Sequence, residues 1–323
     1  MKTFLPTAAH LFFSKQDPYD LRLGDLFQRS EVENLNTPGY ALLGYPDDEG
    51  IKLNGGRIGA AQAPAKIREY LYKMTPPFSI SEGELSNFKL QLSDLGDINT
   101  QPDLASRHQN AKSTALKLHS QKIKPISFGG GHDYGYADAA AFVEHSLQSG
   151  YKPTVLNFDA HLDVRPTDKG FNSGTPFRRL LSEYKNIINF VEIGIQPQCN
   201  SVEHRTWALE HGAAIFDLST IENNGGLGYL LHQKLFIELS SSSPVYISFD
   251  IDGITSCEGG GCSQAWVTGL KTQDYIQFFQ RLNKQVDIRG LGLYEVSPPL
   301  DIDSRTSKLA ALLAYYFIFQ KEL

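Results

Sequence analysis

At 323 residues the chain can bury a substantial core without staples, and 30 Lys and Arg against 36 Asp and Glu give it a formal charge of −6. That balance argues against a general nucleic-acid binder, and three cysteines without CxxC spacing argue against a disulfide framework or a thiolate zinc site. The first residues are broken by Pro6 and His10, and no run approaches the roughly 20 apolar residues of a membrane span, so a cytoplasmic protein off the membrane is expected.

In chain order the pattern predicts a strand at 40–44, a helix at 62–73, a strand at 90–95, a helix at 103–120, a strand at 123–128 and a helix at 135–148. It continues with strands at 154–158, 190–195, 213–216, 245–249 and 288–293, and helices at 176–185, 201–211, 224–239, 272–283 and 305–320. Pro64 falls in the first turn of its helix, where proline is tolerated. Several strands are β-branched and almost wholly apolar, as strands covered on both faces are. The rhythm implies an α/β fold, a parallel sheet with helices on both faces, in one domain over 1–323.

Four clusters carry chemistry. Asp159-Ala160-His161-Leu162-Asp163 holds carboxylate, imidazole and carboxylate at i, i+2 and i+4, which share one face of an extended backbone. Buried together they need a partner, and a cation supplies it; the alternative is a strand end of ordinary hydrogen-bonded residues. Asp250-Ile251-Asp252 repeats the logic after the run at 245–249, with an acidic turn or helix cap as its alternative. Gly129-Gly130-Gly131-His132-Asp133 permits close backbone approach without the pattern of a phosphate loop; His132 alone reads as a helix-start or core histidine sooner than as a ligand. Glu295 leaves the last strand, as a site residue or a solvated loop acid.

Position decides between these readings. All four clusters follow predicted strands, and open parallel sheets bind ligands outside the carboxyl ends of their strands. His132, Asp159, His161, Asp163, Asp250 and Asp252 are too many ligands for one ion with an open position, and suit two ions sharing carboxylates. Oxygen and imidazole donors favour Mn²⁺ or a similar ion.

On these motifs the chain resembles the ureohydrolases, the family of arginase, agmatinase and formimidoylglutamase. The resemblance runs from Asn54-Gly55-Gly56-Arg57 to Arg305-Thr306-Ser307-Lys308. It implies a three-layer α/β/α fold with a mostly parallel eight-stranded sheet and two Mn²⁺ ions. His132, Asp159, Asp163 and Asp250 would bind one ion, and Asp159, His161, Asp250 and Asp252 the other. Arginases and agmatinases carry a histidine in the loop after the DAHxD motif; here Phe171-Asn172-Ser173-Gly174-Thr175 has none and looks like that of formimidoylglutamases. Arg165 stands where arginases have a small polar residue. It suits a substrate carboxylate, with a surface ion pair as the alternative. Asn172 and Ser173 join it as candidate substrate contacts.

The resemblance thus implies hydrolysis of N-formimidoyl-L-glutamate to L-glutamate and formamide, in histidine degradation, by attack of metal-activated hydroxide. Asp163 would handle the proton and Glu295 the amidinium. A rival is urea release from guanidinobutyrate, arginine or agmatine. Others are a non-catalytic scaffold relative, which would be expected to have lost ligands, and a one-ion zinc deacetylase on a related fold. The expected partner is a small molecule, with homo-oligomers common in the family. Gly131 departs from the arginase aspartate, and the loop at 257–263 lacks the arginase Asp-Pro; its glycines suggest mobility, and Cys257 and Cys262 are read as reduced or, under oxidation, paired. His10, His108, His119, His145, His204, His211 and His232 carry no motif and are read as structural or surface residues.

Overall fold

The structure is a computed structural model and describes residues 2–35, 37–78 and 91–320. Among the described residues ten strands form one sheet: β1 (Phe4–Leu5), β2 (Gln28–Arg29), β3 (Gly39–Gly44), β4 (Gln91–Ile98), β5 (Ile123–Phe128), β6 (Thr154–Phe158), β7 (Asn189–Ile195), β8 (Ala213–Asp217), β9 (Pro244–Asp250) and β10 (Asp287–Tyr294). Their order is β1-β4-β3-β5-β10-β9-β6-β7-β8, with β2 also on β4. Only β1 runs antiparallel to its neighbour. The eight expected strands are therefore the parallel body of the sheet. The two added strands have two residues each, too short for a period-2 pattern to register. The strand expected at 90–95 runs on to Ile98, and residue 90 lies outside the described residues.

Helices α1 (Ala63–Leu71), α2 (Leu104–Ser120), α3 (Tyr134–Gln148), α4 (Pro176–Tyr184), α5 (Val202–Glu210), α6 (Thr272–Asn283) and α7 (Arg305–Ile318) cover the sheet. Alternating strand residues face different layers. On β3, Leu42 packs in the core shared by α1, α6 and α7, whereas Ala41 and Leu43 pack with α2 and α3. Asp103 caps α2 by accepting the Ser106 N–H at 3.0 Å, which stabilises the helix by about 1 kcal/mol. The helix expected at 224–239 does not form. Gly225 and Gly226 adopt positive φ (87° and 95°), and extended Gln233 separates a 3₁₀ stretch, Leu227–His232, from one turn, Lys234–Ile237.

Away from the four polar clusters, the ion pair of Arg68 with Asp94 is wholly inside. Arg68 of α1 donates to Asp94 of β4 through Nε (2.9 Å) and Nη2 (3.0 Å), and to Asp97 through Nη1 (2.6 Å). Tyr72 donates to the same Asp94 at 2.5 Å.

The topology also fixes where chemistry can occur. β5, β10, β9 and β6 are consecutive, and these four strands lead into the four polar clusters.

Candidate metal centre

Register explains why the proposed ligands meet. Phe128, Leu293, Phe249 and Phe158 lie in one row across the four strands. The next residues along, Asp250 on β9 and Asp159 after β6, emerge side by side at the sheet's carboxyl edge. The glycine turn after β5 brings His132 over them. It can do so only with glycine at 130, since a Cβ there would lie 1.6 Å from the Asp47 carbonyl oxygen.

Two overlapping cages result. In one, His132 Nδ1 lies 3.2 Å from Asp159 Oδ2, 3.1 Å from Asp163 Oδ2 and 3.2 Å from Asp250 Oδ2. In the other, His161 Nδ1 lies 3.1 Å from Asp252 Oδ2 and 3.4 Å from Asp159 Oδ1. Asp159 thus offers one oxygen to each. Asp250 turns Oδ2 to the first cage, while Oδ1 accepts the Asp252 N–H at 2.9 Å. Asp163 and Glu295 both sit at positive φ (47° and 66°), a conformation that costs a non-glycine residue free energy and gathers at functional sites. Glu295 lies beside the cages, with Oε1 accepting the His132 N–H at 3.1 Å.

A cation fits this donor set. His132 Nε2 lies 2.9 Å from Ser248 Oγ, so when Nδ1 turns its lone pair to a cation Nε2–H can donate there. That buried Nδ1 makes no well-angled hydrogen bond despite the three oxygens around it. Acceptors facing acceptors in a buried site require a positive charge between them. Four aspartates balance two divalent ions. Cys262 is buried nearby, where burial and the charges of Asp252 and Asp250 hold its thiol well above the usual range, and it belongs to neither cage.

The protons of the metal-free site follow from the same geometry. Burial opposes charge on His132, but Asp159, Asp163 and Asp250 outweigh it and hold the imidazole protonated well above the histidine range. His161 behaves likewise, burial being outweighed by Asp252 and Asp159. Burial and Asp159 push Asp163 up to about 6. Burial and the charges of Asp252 and Asp159 raise Asp250 further. A dication must displace these protons, so metal uptake near neutral pH releases protons, and affinity falls as pH drops through the range where His132 and His161 protonate and again as Asp163 protonates near 6. Calorimetry in buffers of different ionisation enthalpy reads the release directly; buffer-independent heats would contradict the assignment.

Residues 39–320 match the family model described as "Arginase family". This chain belongs to the arginase family. It is 29% identical to the formimidoylglutamase of Streptococcus gordonii over 311 residues (88% of each chain), and 30% identical to that of Streptococcus pyogenes over 298 residues (86% of this chain, 84% of that one). Among solved structures it is similar to Bacillus subtilis formimidoylglutamase (TM-score 0.81, 27% identity, 96% of this chain and 95% of that one). It is also similar to Trypanosoma cruzi formiminoglutamase with two Mn²⁺ ions (TM-score 0.79, 27% identity, 94% and 99%).

The departures from the arginase pattern have local causes. A side chain at Gly131 would place its Cβ 2.2 Å from Asp133 Oδ1, so an arginase-type aspartate cannot enter without moving Asp133. The loop at 257–263 is tied down, contrary to the expectation from its glycines. Arg57 donates to the carbonyls of Cys262 and Ser263, Thr306 Oγ1 accepts the Gly261 N–H, and the Gly261 carbonyl accepts the Ser297 N–H. Its glycines serve close packing: a Cβ at Gly261 would meet Asp301 at 2.6 Å. Cys257 is exposed, Cys262 is buried, and both are free.

The substrate-side candidates form a second group. Ser173 is buried; its N–H donates to the Gly50 carbonyl (3.1 Å) and its Oγ accepts from Asn54 (3.2 Å). Asn172 turns inward on its own loop, accepting the Gly174 N–H at 3.0 Å. Arg165 is exposed, bonds the Gly174 carbonyl through its N–H (2.8 Å), and makes no ion pair with described residues.

Sequence reasoning missed the row beneath the ligands. Ser248, Asn157 and Glu192 occupy one register row across β9, β6 and β7. Ser248 orients His132; Asn157 reaches Asp159 Oδ2 (3.4 Å) and donates to Glu192 (2.8 Å). The i−2 relation of Ser248 to Asp250 and of Asn157 to Asp159 was a usable signal, because strand residues two apart share a face. Glu192 has no such local sign. Asn54 was quoted within a motif but given no role.

Proposed function

We propose that this protein hydrolyses N-formimidoyl-L-glutamate to L-glutamate and formamide at a pair of Mn²⁺ ions. One observation carries the reading: two cation cages that share Asp159, in a chain similar along most of its length to the formimidoylglutamases of two streptococci. Bound there, the ions supply a water acidic enough to ionise near neutral pH. His132, Asp159, Asp163 and Asp250 hold one ion; His161 and Asp252 hold the other with Asp159, and Asp250 is its further ligand. Water adds to the formimino carbon and the bond from that carbon to the glutamate nitrogen breaks. Asp163 carries the proton from the water to the leaving nitrogen. Glu295 orients the amidinium, and Arg165, with Asn172 and Ser173, receives the substrate carboxylates. In this reading the enzyme serves histidine degradation in the cytoplasm and works as a homo-oligomer.

A second reading has a specific relative behind it. The proclavaminate amidino hydrolase of Streptomyces clavuligerus is 26% identical with a TM-score of 0.72, covering 90% of this chain and 94% of that one. A guanidino acid would release urea. The Mn²⁺-loaded protein, offered formimidoylglutamate, guanidinobutyrate, arginine and agmatine, is expected to release formamide from the first and little urea from the rest. Urea as the main product would replace the proposal. Asp163→Asn is expected to keep its fold and lose most turnover; near-normal kcat would remove Asp163 from the proton's path.

A further inference from the structure

His108 carries no motif, yet it is enclosed and bonded through both ring nitrogens. Nδ1 lies 3.0 Å from Arg179 Nη1, and Nε2 lies 2.6 Å from Asp133 Oδ2. A guanidinium only donates, so Nδ1 accepts and Nε2–H donates to Asp133. The bonds run one way, from Arg179 through His108 to Asp133, and end one residue from His132.

The other end of this chain reaches the substrate-side loop. The Arg179 guanidinium is held between two rings, 3.5 Å from the centre of Tyr136 and 3.7 Å from that of Phe171. Phe171 opens the loop that carries Asn172 and Ser173. Asp133 meets the same loop by a second route. Its Oδ1 packs so closely on Gly50 that a Cβ there would lie 2.1 Å away, and the Gly50 carbonyl accepts the Ser173 N–H. The loop is therefore gripped at Phe171 and at Ser173, and both grips refer back to Asp133. Arg179 makes no ion pair within 4 Å among the described residues; the two rings and His108 contact it, and the charges of Glu183 and Asp133 act on it from farther off.

We infer that Arg179 and His108 are positioning residues that fix the loop at 171–175 beside the metal centre, so that substrate affinity depends on them more than chemistry does. The inference rests on reading that loop as substrate-binding. His108→Gln preserves a donor toward Asp133 and an acceptor toward Arg179; His108→Leu removes both, and Arg179→Met keeps bulk between the rings without charge or donor. Arg179→Met and His108→Leu are expected to raise KM for formimidoylglutamate about tenfold. Their kcat should stay within about threefold of the parent, with two Mn²⁺ per chain retained and His108→Gln near the parent in KM. Hydrogen exchange at 171–175 should quicken in Arg179→Met while 154–158 stays protected. An unchanged KM, a loss confined to kcat with Mn²⁺ lost, or unchanged exchange at 171–175 would overturn it. The exchange arm needs no substrate, so it still decides if the parent protein proves inert toward formimidoylglutamate.

Discussion

Asp159→Asn is expected to lower kcat by roughly a thousandfold or more, because one side chain serves both cages. An amide has the shape of the carboxylate but one neutral oxygen and one donor, and the donor would point at a cation. The first cage keeps His132, Asp163 and Asp250; the second keeps His161 and Asp252, with only Asp250, shared with the first, as its further proposed ligand. Metal analysis after gel filtration should therefore show less than two Mn²⁺ per chain, with the second cage emptied first. The fold should survive because the amide keeps the carboxylate's shape, although the metal-free site loses the charge that His132 and His161 hold on Asp159. Two tightly bound equivalents with full turnover would show that the aspartate does not bridge.

The largest expected loss of stability lies far from the chemistry. Arg68 and Asp94 are both fully buried, and Arg68→Met strands the carboxylate with only the Tyr72 hydroxyl and the Gly96 N–H as donors. Breaking a buried pair from one side costs about 3–5 kcal/mol. The urea midpoint should fall accordingly. Replacing both partners, Arg68→Met with Asp94→Leu, should recover much of the loss, since the desolvated charge goes with its partner. A single variant within about 1 kcal/mol of the parent would mean that water reaches Asp94. The same pair ties α1 to β4, so its loss loosens the edge of the sheet and leaves the cages at the centre standing.

What the sequence revealed divides by range. The strands at 123–128 and 154–158 and the helix at 272–283 are legible to the residue, because apolar periodicity is a local signal with clear breaks at both ends. The six proposed ligands were legible for the same reason: each motif lies within a few residues of one strand end. The helix expected at 224–239 failed where two glycines and an extended glutamine override apolar spacing. Strand order and register were beyond local reading. Glu192 has meaning only once β7 is set beside β6, and His108 only once α2 is packed against α3 and α4. The loop at 257–263 was misread because glycine marks tight packing as well as freedom, and only its neighbours tell which.

β10 is made last among the strands and lies in the middle of the sheet. Before it arrives the chain can assemble two separate slabs, β1-β4-β3-β5 and β9-β6-β7-β8. His132 belongs to the first slab, and the four aspartates and His161 to the second. The cation cage that holds His132 spans the seam that β10 closes, so neither slab alone can present it whole. A nascent chain released before β10 would have every residue in that cage and still lack the cage. A dication held between His132 and Asp159, Asp163 and Asp250, as proposed, would work as a clasp across the seam, drawing together halves whose sheet pairing only β10 completes.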